Sequence, residues 1–355
     1  MAEKGHQIMV IAPSDSPLFI RAKKNGYRVY PLSFNLLARF GEYDQLKKLF
    51  AAETPFAVNC HGREDARIVL KAAWQTGVPC RILSQHTDNE IKKIWLSKRK
   101  YNQYCHYTFT DSPQTIPLLQ KKFNIHDIRI FCIPQGIIAP QELLCNADAR
   151  KKISSKLGLP PATRFMGLTG RMPLPMMGER ISQLFNTIQS QPSHHMVCIS
   201  TDAQPFPEEF KTDMSRLAKG RIHFMDIDED AWSLYRALDC MVVLSESDPN
   251  QTSCGLSRHL LEIMYAKCPV IASHDFEVTH FINRTLGMPQ DYSGQDKPIE
   301  QMIRDAISTE ESRQLERTAA IGEYIKQHHT IDTMGRDILR IYRLRQVRQE
   351  QRHRR

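Results

Sequence analysis

Long apolar runs are the first thing this chain lacks. No stretch approaches the roughly 18–20 residues that a membrane-spanning helix needs. The opening Met1-Ala-Glu-Lys-Gly-His6 is polar and does not read as a secretory leader. Cys-x-x-Cys spacing is missing as well. Nine cysteines are scattered through 355 residues, which points to reduced thiols and away from a zinc site or a disulfide framework. No RNA-binding motif occurs, and the basic clusters do not interleave with aromatic residues. Nucleic-acid binding is therefore not expected, although the formal net charge is +9. What remains has the composition of a soluble globular protein, 41% hydrophobic and 25% charged, and is long enough for two domains.

The positive excess is uneven. Much of it lies before residue 140, densest at Lys92-Lys93, Lys98-Arg99-Lys100 and Lys121-Lys122. A second excess, from Arg340 to Arg355, closes the chain. Such patches attract phosphates, including those of an anionic membrane surface. For any single cluster the plainer reading is a solvated helix face or a frayed tail.

Apolar runs and turn residues alternate in βαβα order. Strands are expected over 7–12, 27–31, 55–59, 79–84, 107–110 and 128–133. The helices between them are expected over 14–25, 42–53, 63–76 and 113–123. Residues 136 to 162 break the rhythm. A second set follows, with strands over 164–168, 196–200, 222–225 and 240–245 and helices over 179–189, 206–219 and 229–238. This order predicts parallel sheets covered by helices on both faces. Asp226-Ile-Asp228-Glu-Asp230 contains an Asp-x-Asp pattern just before a helix, so capping of that helix is its expected role.

The most informative stretch is Thr252–Ser273. It comprises a polar loop, a Gly-Leu-Ser turn, an amphipathic helix carrying Glu262, and an apolar strand opened by Pro269. A strand–loop–helix–strand unit places its loop at the carboxyl edge of a parallel sheet, where open α/β folds bind ligands. The helix start near Gly255–Ser257 offers free N–H groups to an anion, and the Glu262 carboxylate could accept hydrogen bonds from a ribose diol.

This unit resembles the donor-binding segment of retaining GT-B glycosyltransferases of family 4, with Gly255, Arg258, Glu262, Met264, Pro269, Val270, Ile271 and Ala272 matching in order. Lys267 stands where the family has a second glycine. Cys254, eight residues before Glu262, replaces the glutamate that usually meets the donor sugar's hydroxyls. Phe165–Arg171 resembles the family's strand ending in Gly-Arg, and the lysine expected soon after falls at Met177. Asn59-Cys-His61-Gly62 and Leu83-Ser-Gln-His86 resemble strand ends that face the cleft. Ile133-Pro-Gln-Gly136-Ile137 resembles the entry to the interdomain linker, and Ile321–Arg345 the terminal helix that returns to the first domain. The opening resembles the end of the family's first helix and its second strand. That implies an absent first strand, with an actual or ancestral start upstream of Met1.

The resemblance implies an α/β, GT-B architecture of two Rossmann-like domains facing a cleft. The expected divisions are 1–140 for the acceptor side, 141–325 for the donor domain, and 326–355 for the terminal helix and basic tail. It implies His86 and Arg171 as catalytic residues. Donor-binding residues would be Gly170, Arg171, Cys254, Gly255, Leu256, Ser257 and Glu262, with His61 and Gly62 as cleft candidates. No metal and no cofactor are expected beyond a nucleotide-diphosphate sugar donor. The acceptor would be a glycan or lipid-linked species, as in lipopolysaccharide or surface polysaccharide synthesis, on the cytoplasmic side and peripheral to the inner membrane. The alternative is a GT-B pseudoenzyme, which Cys254, Met177 and the missing opening favour. A nucleotide-sugar epimerase would need an acidic catalytic set that is not apparent here.

Overall fold

The computed structural model describes the chain except residues 35–38, 62–65, 87–97, 114, 172–173, 201–205, 227–229, 246–255, 274–297, 310 and 354–355. It divides into two compact units, Met1–Pro134 with Met334–Arg355, and Gln135–Thr333. These divisions differ by several residues from those expected at 140 and 325. Among the described residues no helix is long and apolar enough to cross a membrane.

The first unit runs β1 (Met9–Ala12), α1 (Pro17–Lys24), β2 (Arg28–Pro31), α2 (Arg39–Glu53), β3 (Ala57–Cys60), α3 (Ala66–Gln75), β4 (Cys80–Gln85), β5 (Tyr107–Thr110), α4 (Thr115–Phe123) and β6 (Ile130–Cys132). Local chemistry sets the element ends. Ser16 accepts a hydrogen bond from the Phe19 N–H at 3.2 Å, and Pro17 opens α1. Strands β3-β4-β5-β6 form one parallel sheet in that order. Every residue of β4 is buried, as expected of a parallel strand covered on both faces. Leu83 meets Leu46, Phe50 and Leu70 on one face. Cys80 and Ile82 meet Ile341 of the closing helix α12 (Ile331–His353) on the other.

Strands β1 and β2 form a separate parallel pair. Ile11 and Tyr30 from this pair pack against the same apolar cluster as Val58 and Cys60 of β3. Among the described residues no strand hydrogen-bonds β1 to β3. Both strands are only half-buried over most of their length, in contrast to β4.

The second unit contains α5 (Asn146–Lys156), β7 (Arg164–Arg171), α6 (Leu174–Ile188), β8 (His194–Ser200), α7 (Glu208–Leu217), β9 (Ile222–Asp226), α8 (Ala231–Ala237), β10 (Leu238–Ser245), α9 (Arg258–Tyr265), β11 (Val270–Ser273), α10 (Ile299–Ser308) and α11 (Glu311–His328). Its parallel sheet has the order β11-β10-β7-β8-β9. The two-residue period is plain along β10. Met241 and Val243 enter one core, while Cys240, Val242 and Leu244 enter the other. Asp239, 2% exposed, pins the amino end of this sheet. It pairs with Arg150 at 3.0 Å and Arg164 at 2.7 Å, and accepts the Phe165 N–H at 3.1 Å.

Two departures from the sequence expectations have causes in long-range contacts. Helix α5 lies in the 136–162 stretch, where the rhythm of the sequence breaks and no helix was named. Its apolar stripe is thin, with Ala149 and Ile153 the buried apolar residues, and a thiol, Cys145, occupies the cap position. Pairing of Arg150 with Asp239 and of Lys152 with Asp230 fixes it to its neighbours. The expected terminal helix is in fact two, α11 and α12, parted at His329-Thr330. Here Ile137 donates to His329 O at 2.8 Å, and Ile331 donates back to Ile137 O at 3.1 Å. Thr330 then caps α12 by accepting from the Thr333 N–H at 3.1 Å. Gly136 is required at this crossing, because a Cβ there would stand 2.4 Å from Thr330 O.

Candidate functional site

The strand order of the second unit reverses between β7 and β10, and Arg171 lies opposite Ser245 at their carboxyl ends. Such a switch point is where open α/β sheets leave a crevice for a ligand. The backbones of Gly170 and Arg171 therefore stand at the expected edge; the Arg171 side chain lies outside the described residues, as do Cys254 and Gly255. Leu256 packs against the core. Ser257 caps α9, its hydroxyl accepting the Leu260 N–H at 3.3 Å. Among the described residues no partner meets the N–H groups of Arg258 and His259, as befits a helix start.

Glu262 is 5% exposed. Arg258 Nε donates to its Oε1 at 2.7 Å, and His259 Nδ1 stands 3.6 Å from its Oε2. The buried Tyr235 hydroxyl lies 3.3 Å from the same His259 nitrogen. Burial pushes the Glu262 carboxyl up, but His259 and Arg258 more than offset that, and its pKa is lowered. The group is an anion at neutral pH. Sequence reading found Glu262 and missed His259 and Tyr235. The signal for His259 was its place three residues before Glu262, on the same helix face. Lys267, where the family has glycine, adopts φ +60° just beyond the end of α9. The backbone there takes the left-handed shape glycine favours, and lysine bears the steric cost.

Two expectations are corrected. Met177, assigned to a donor-site position, is fully buried. Helix α6 starts at Leu174, earlier than the expected 179, and its apolar stripe Met177, Ile181, Leu184, Ile188 turns into the core. Asp230 does occupy the N-cap position of α8, but its side chain makes no capping bond and takes Lys152 at 2.8 Å instead. Asp226 accepts a hydrogen bond from the Ser200 hydroxyl, and Asp228 lies outside the described residues. Among the described residues no group of three or more His, Cys, Asp or Glu could hold a metal ion.

In the first unit the structure brings His61 and His86 together. The rings are nearly parallel, with centroids 5.2 Å apart and planes at 5°. His61 Nδ1 lies 2.9 Å from His86 Nε2. Beyond them His86 Nδ1 lies 3.7 Å from Asp111 Oδ2. These residues follow β3, β4 and β5 directly, so all three stand at the carboxyl edge of one sheet. Asp111 was not anticipated, although the strand-end rule that selected the two histidines applies equally to it. Loss of water around the ring, and then the neighbouring His86, lower the His61 pKa to about 4. The His61 ring is therefore neutral at pH 7. Gly62 lies outside the described residues.

The family model described as Glycosyltransferase Family 4 matches residues 1–139. Among solved structures, a glycosyltransferase from Rickettsia africae is 16% identical, with a TM-score of 0.69 over 97% of this chain and 91% of its own. Anabaena HepE, solved in complex with UDP, is 12% identical, with a TM-score of 0.70 over 95% of this chain and 99% of its own. WaaG, a glycosyltransferase involved in lipopolysaccharide biosynthesis, is 14% identical, with a TM-score of 0.58 over 95% and 91%. At these identities the likeness is one of fold. The chain has the mixed α/β GT-B fold of Rossmann-like domains, and its first 139 residues match a family 4 glycosyltransferase domain. No curated protein matches it in sequence.

Proposed function

We propose that this chain is a glycosyltransferase that moves a sugar from a nucleotide-diphosphate donor to a hydroxyl of a glycan or lipid-linked acceptor, with retention of configuration. The observation that carries the reading is Glu262, a buried, ionised carboxylate on the helix that follows the switch-point strand. A carboxylate there suits a ribose diol and would position the donor. Departure of a nucleotide diphosphate with about two negative charges would be assisted by Arg171 and by the start of α9. Among the described residues no side chain is an obvious nucleophile, which favours a front-face, oxocarbenium-like displacement over a covalent intermediate.

The acceptor follows from charge. A basic first unit and a basic closing helix suit a phosphate-bearing lipid acceptor at the inner face of a membrane, as in lipopolysaccharide or surface polysaccharide synthesis. The second reading is a catalytically impaired relative. It is favoured by Cys254, a thiol where the resemblance places a glutamate that meets the donor sugar's hydroxyls.

Turnover separates the two. Purified chain is mixed with nucleotide sugars and phosphorylated glycolipid acceptors, nucleotide release is followed, and the product's anomeric configuration is read by NMR. Release that depends on acceptor, with a retained anomer, supports the proposal. Saturable donor binding without release in any mixture favours the impaired relative, and an inverted anomer refutes retention.

A further inference from the structure

Three consecutive strands of the first unit end in a titratable side chain, His61 after β3, His86 after β4 and Asp111 after β5. The Asp111 side chain is 4% exposed and that of His86 46%. The row therefore leads outward from a buried anion. A neutral imidazole carries one N–H and one lone pair, and the contact made by one nitrogen decides the state of the other. At 3.7 Å from His86 Nδ1, the Asp111 carboxylate is beyond direct hydrogen-bond length but close enough to favour a proton on that nitrogen. His86 Nε2 is then a lone pair. The 2.9 Å contact with His61 Nδ1 in turn requires the N–H on His61. With His86 neutral, these two contacts leave His61 Nε2 bare.

We propose that Asp111 and His86 fix the tautomer of His61, so that His61 Nε2 is presented as a neutral hydrogen-bond acceptor for a sugar hydroxyl. His61 is the binding residue; His86 and Asp111 are positioning residues that act through it. The identity of the hydroxyl rests on the glycosyl-transfer reading above, whereas the tautomers do not. Both the donor sugar and the acceptor offer such a hydroxyl. The lowered pKa of His61, caused by desolvation and then by His86, keeps the ring neutral at pH 7, as an acceptor must be.

The test is long-range proton–nitrogen NMR on the whole chain with ¹⁵N-labelled histidine at pH 7, with His61→Gln and His86→Gln to assign the signals. Both rings are expected to show a protonated Nδ1 and a bare Nε2. A proton on His61 Nε2 in the unaltered chain overturns the proposal. In Asp111→Ala, and in Asp111→Asn should the first fold poorly, the preference at His86 and His61 is expected to be lost. Unchanged tautomers in a folded variant overturn the role of Asp111. UDP-glucose and methyl α-glucoside are then added separately. A response of His61 Nε2 to the first assigns the hydroxyl to the donor, and a response to the second alone assigns it to the acceptor. His61→Ala is expected to weaken binding of the responding sugar by roughly 3- to 10-fold, the loss of one hydrogen bond. If calorimetry shows that UDP-glucose binds and His61 responds to neither sugar, the acceptor role is overturned. Absence of any nucleotide-sugar binding counts against the glycosyl-transfer reading, and the tautomers still decide the relay.

Discussion

Replacing Gly136 by alanine should unfold the second unit's linker crossing. The added Cβ would stand 2.4 Å from Thr330 O, 2.6 Å from Thr330 C and 2.8 Å from Ile331 N, all backbone atoms with no rotamer to relieve the clash. Ordinary contact begins near 3.4 Å, so the segments must part by about 1 Å. The two backbone–backbone bonds between them, 2.8 and 3.1 Å long, would then exceed hydrogen-bond range. Losing both costs about 2 kcal/mol, and residual overpacking adds about 1–3 kcal/mol. For a unit of this size that total lowers the melting temperature by roughly 10 °C. Gly335 provides the control. It lies inside α12 with nothing within 4 Å of an added Cβ, so Gly335→Ala should stabilise by about 0.5–1 kcal/mol. Differential scanning calorimetry of both variants tests the reasoning. Equal shifts in the two, or a Gly136→Ala shift within error of zero, would refute it.

Lys267→Gly should stabilise the protein by up to about 1 kcal/mol in urea unfolding, since it relieves the left-handed backbone at φ +60°. Asp239→Ala strips two arginines and one N–H of their buried partner and should cost about 3–5 kcal/mol in the same assay. Glu262 has a lowered pKa, so its contribution is present above the unfolded value near 4.3 and is lost as pH falls through the folded one. Glu262→Gln should therefore flatten the acid limb of a stability–pH profile. His195, beside His223 with a 2.8 Å nitrogen–nitrogen contact, has a pKa near 4 because of burial and then His223. Its neutral form adds stability above the unfolded value near 6.5, which is lost as pH falls toward 4. His195→Gln should reduce that loss in melts between pH 7 and pH 4.

The parallel sheets were legible because a strand buried on both faces must read as a short apolar run between turn residues. The expected strand over 107–110 coincides with β5, and Glu262 falls on its helix as expected. Helix α5 was not legible because long-range ion pairs, rather than a broad apolar stripe, hold it in place. The break at His329-Thr330 was hidden for a related reason. The sequence stays helix-compatible there, and the interruption comes from Ile137, nearly two hundred residues away. Met177 misled because a motif offset was counted without the start of α6, whose phase turns that residue inward. The Asp111–His86–His61 row was half visible. Two histidines at strand ends drew notice, whereas their contact, and the carboxylate behind them, depend on the spacing of β3, β4 and β5.

The central claim, a nucleotide-sugar site built on the β7–β10 switch point and α9, is tested most directly by calorimetric titration of a panel of nucleotide-diphosphate sugars into the chain and into its Arg171→Ala and Glu262→Ala variants. The account predicts saturable binding of one donor class, weakened at least tenfold in each variant while the fold is retained. Binding of equal strength in folded variants, or no binding of any donor to the unaltered chain, would contradict it.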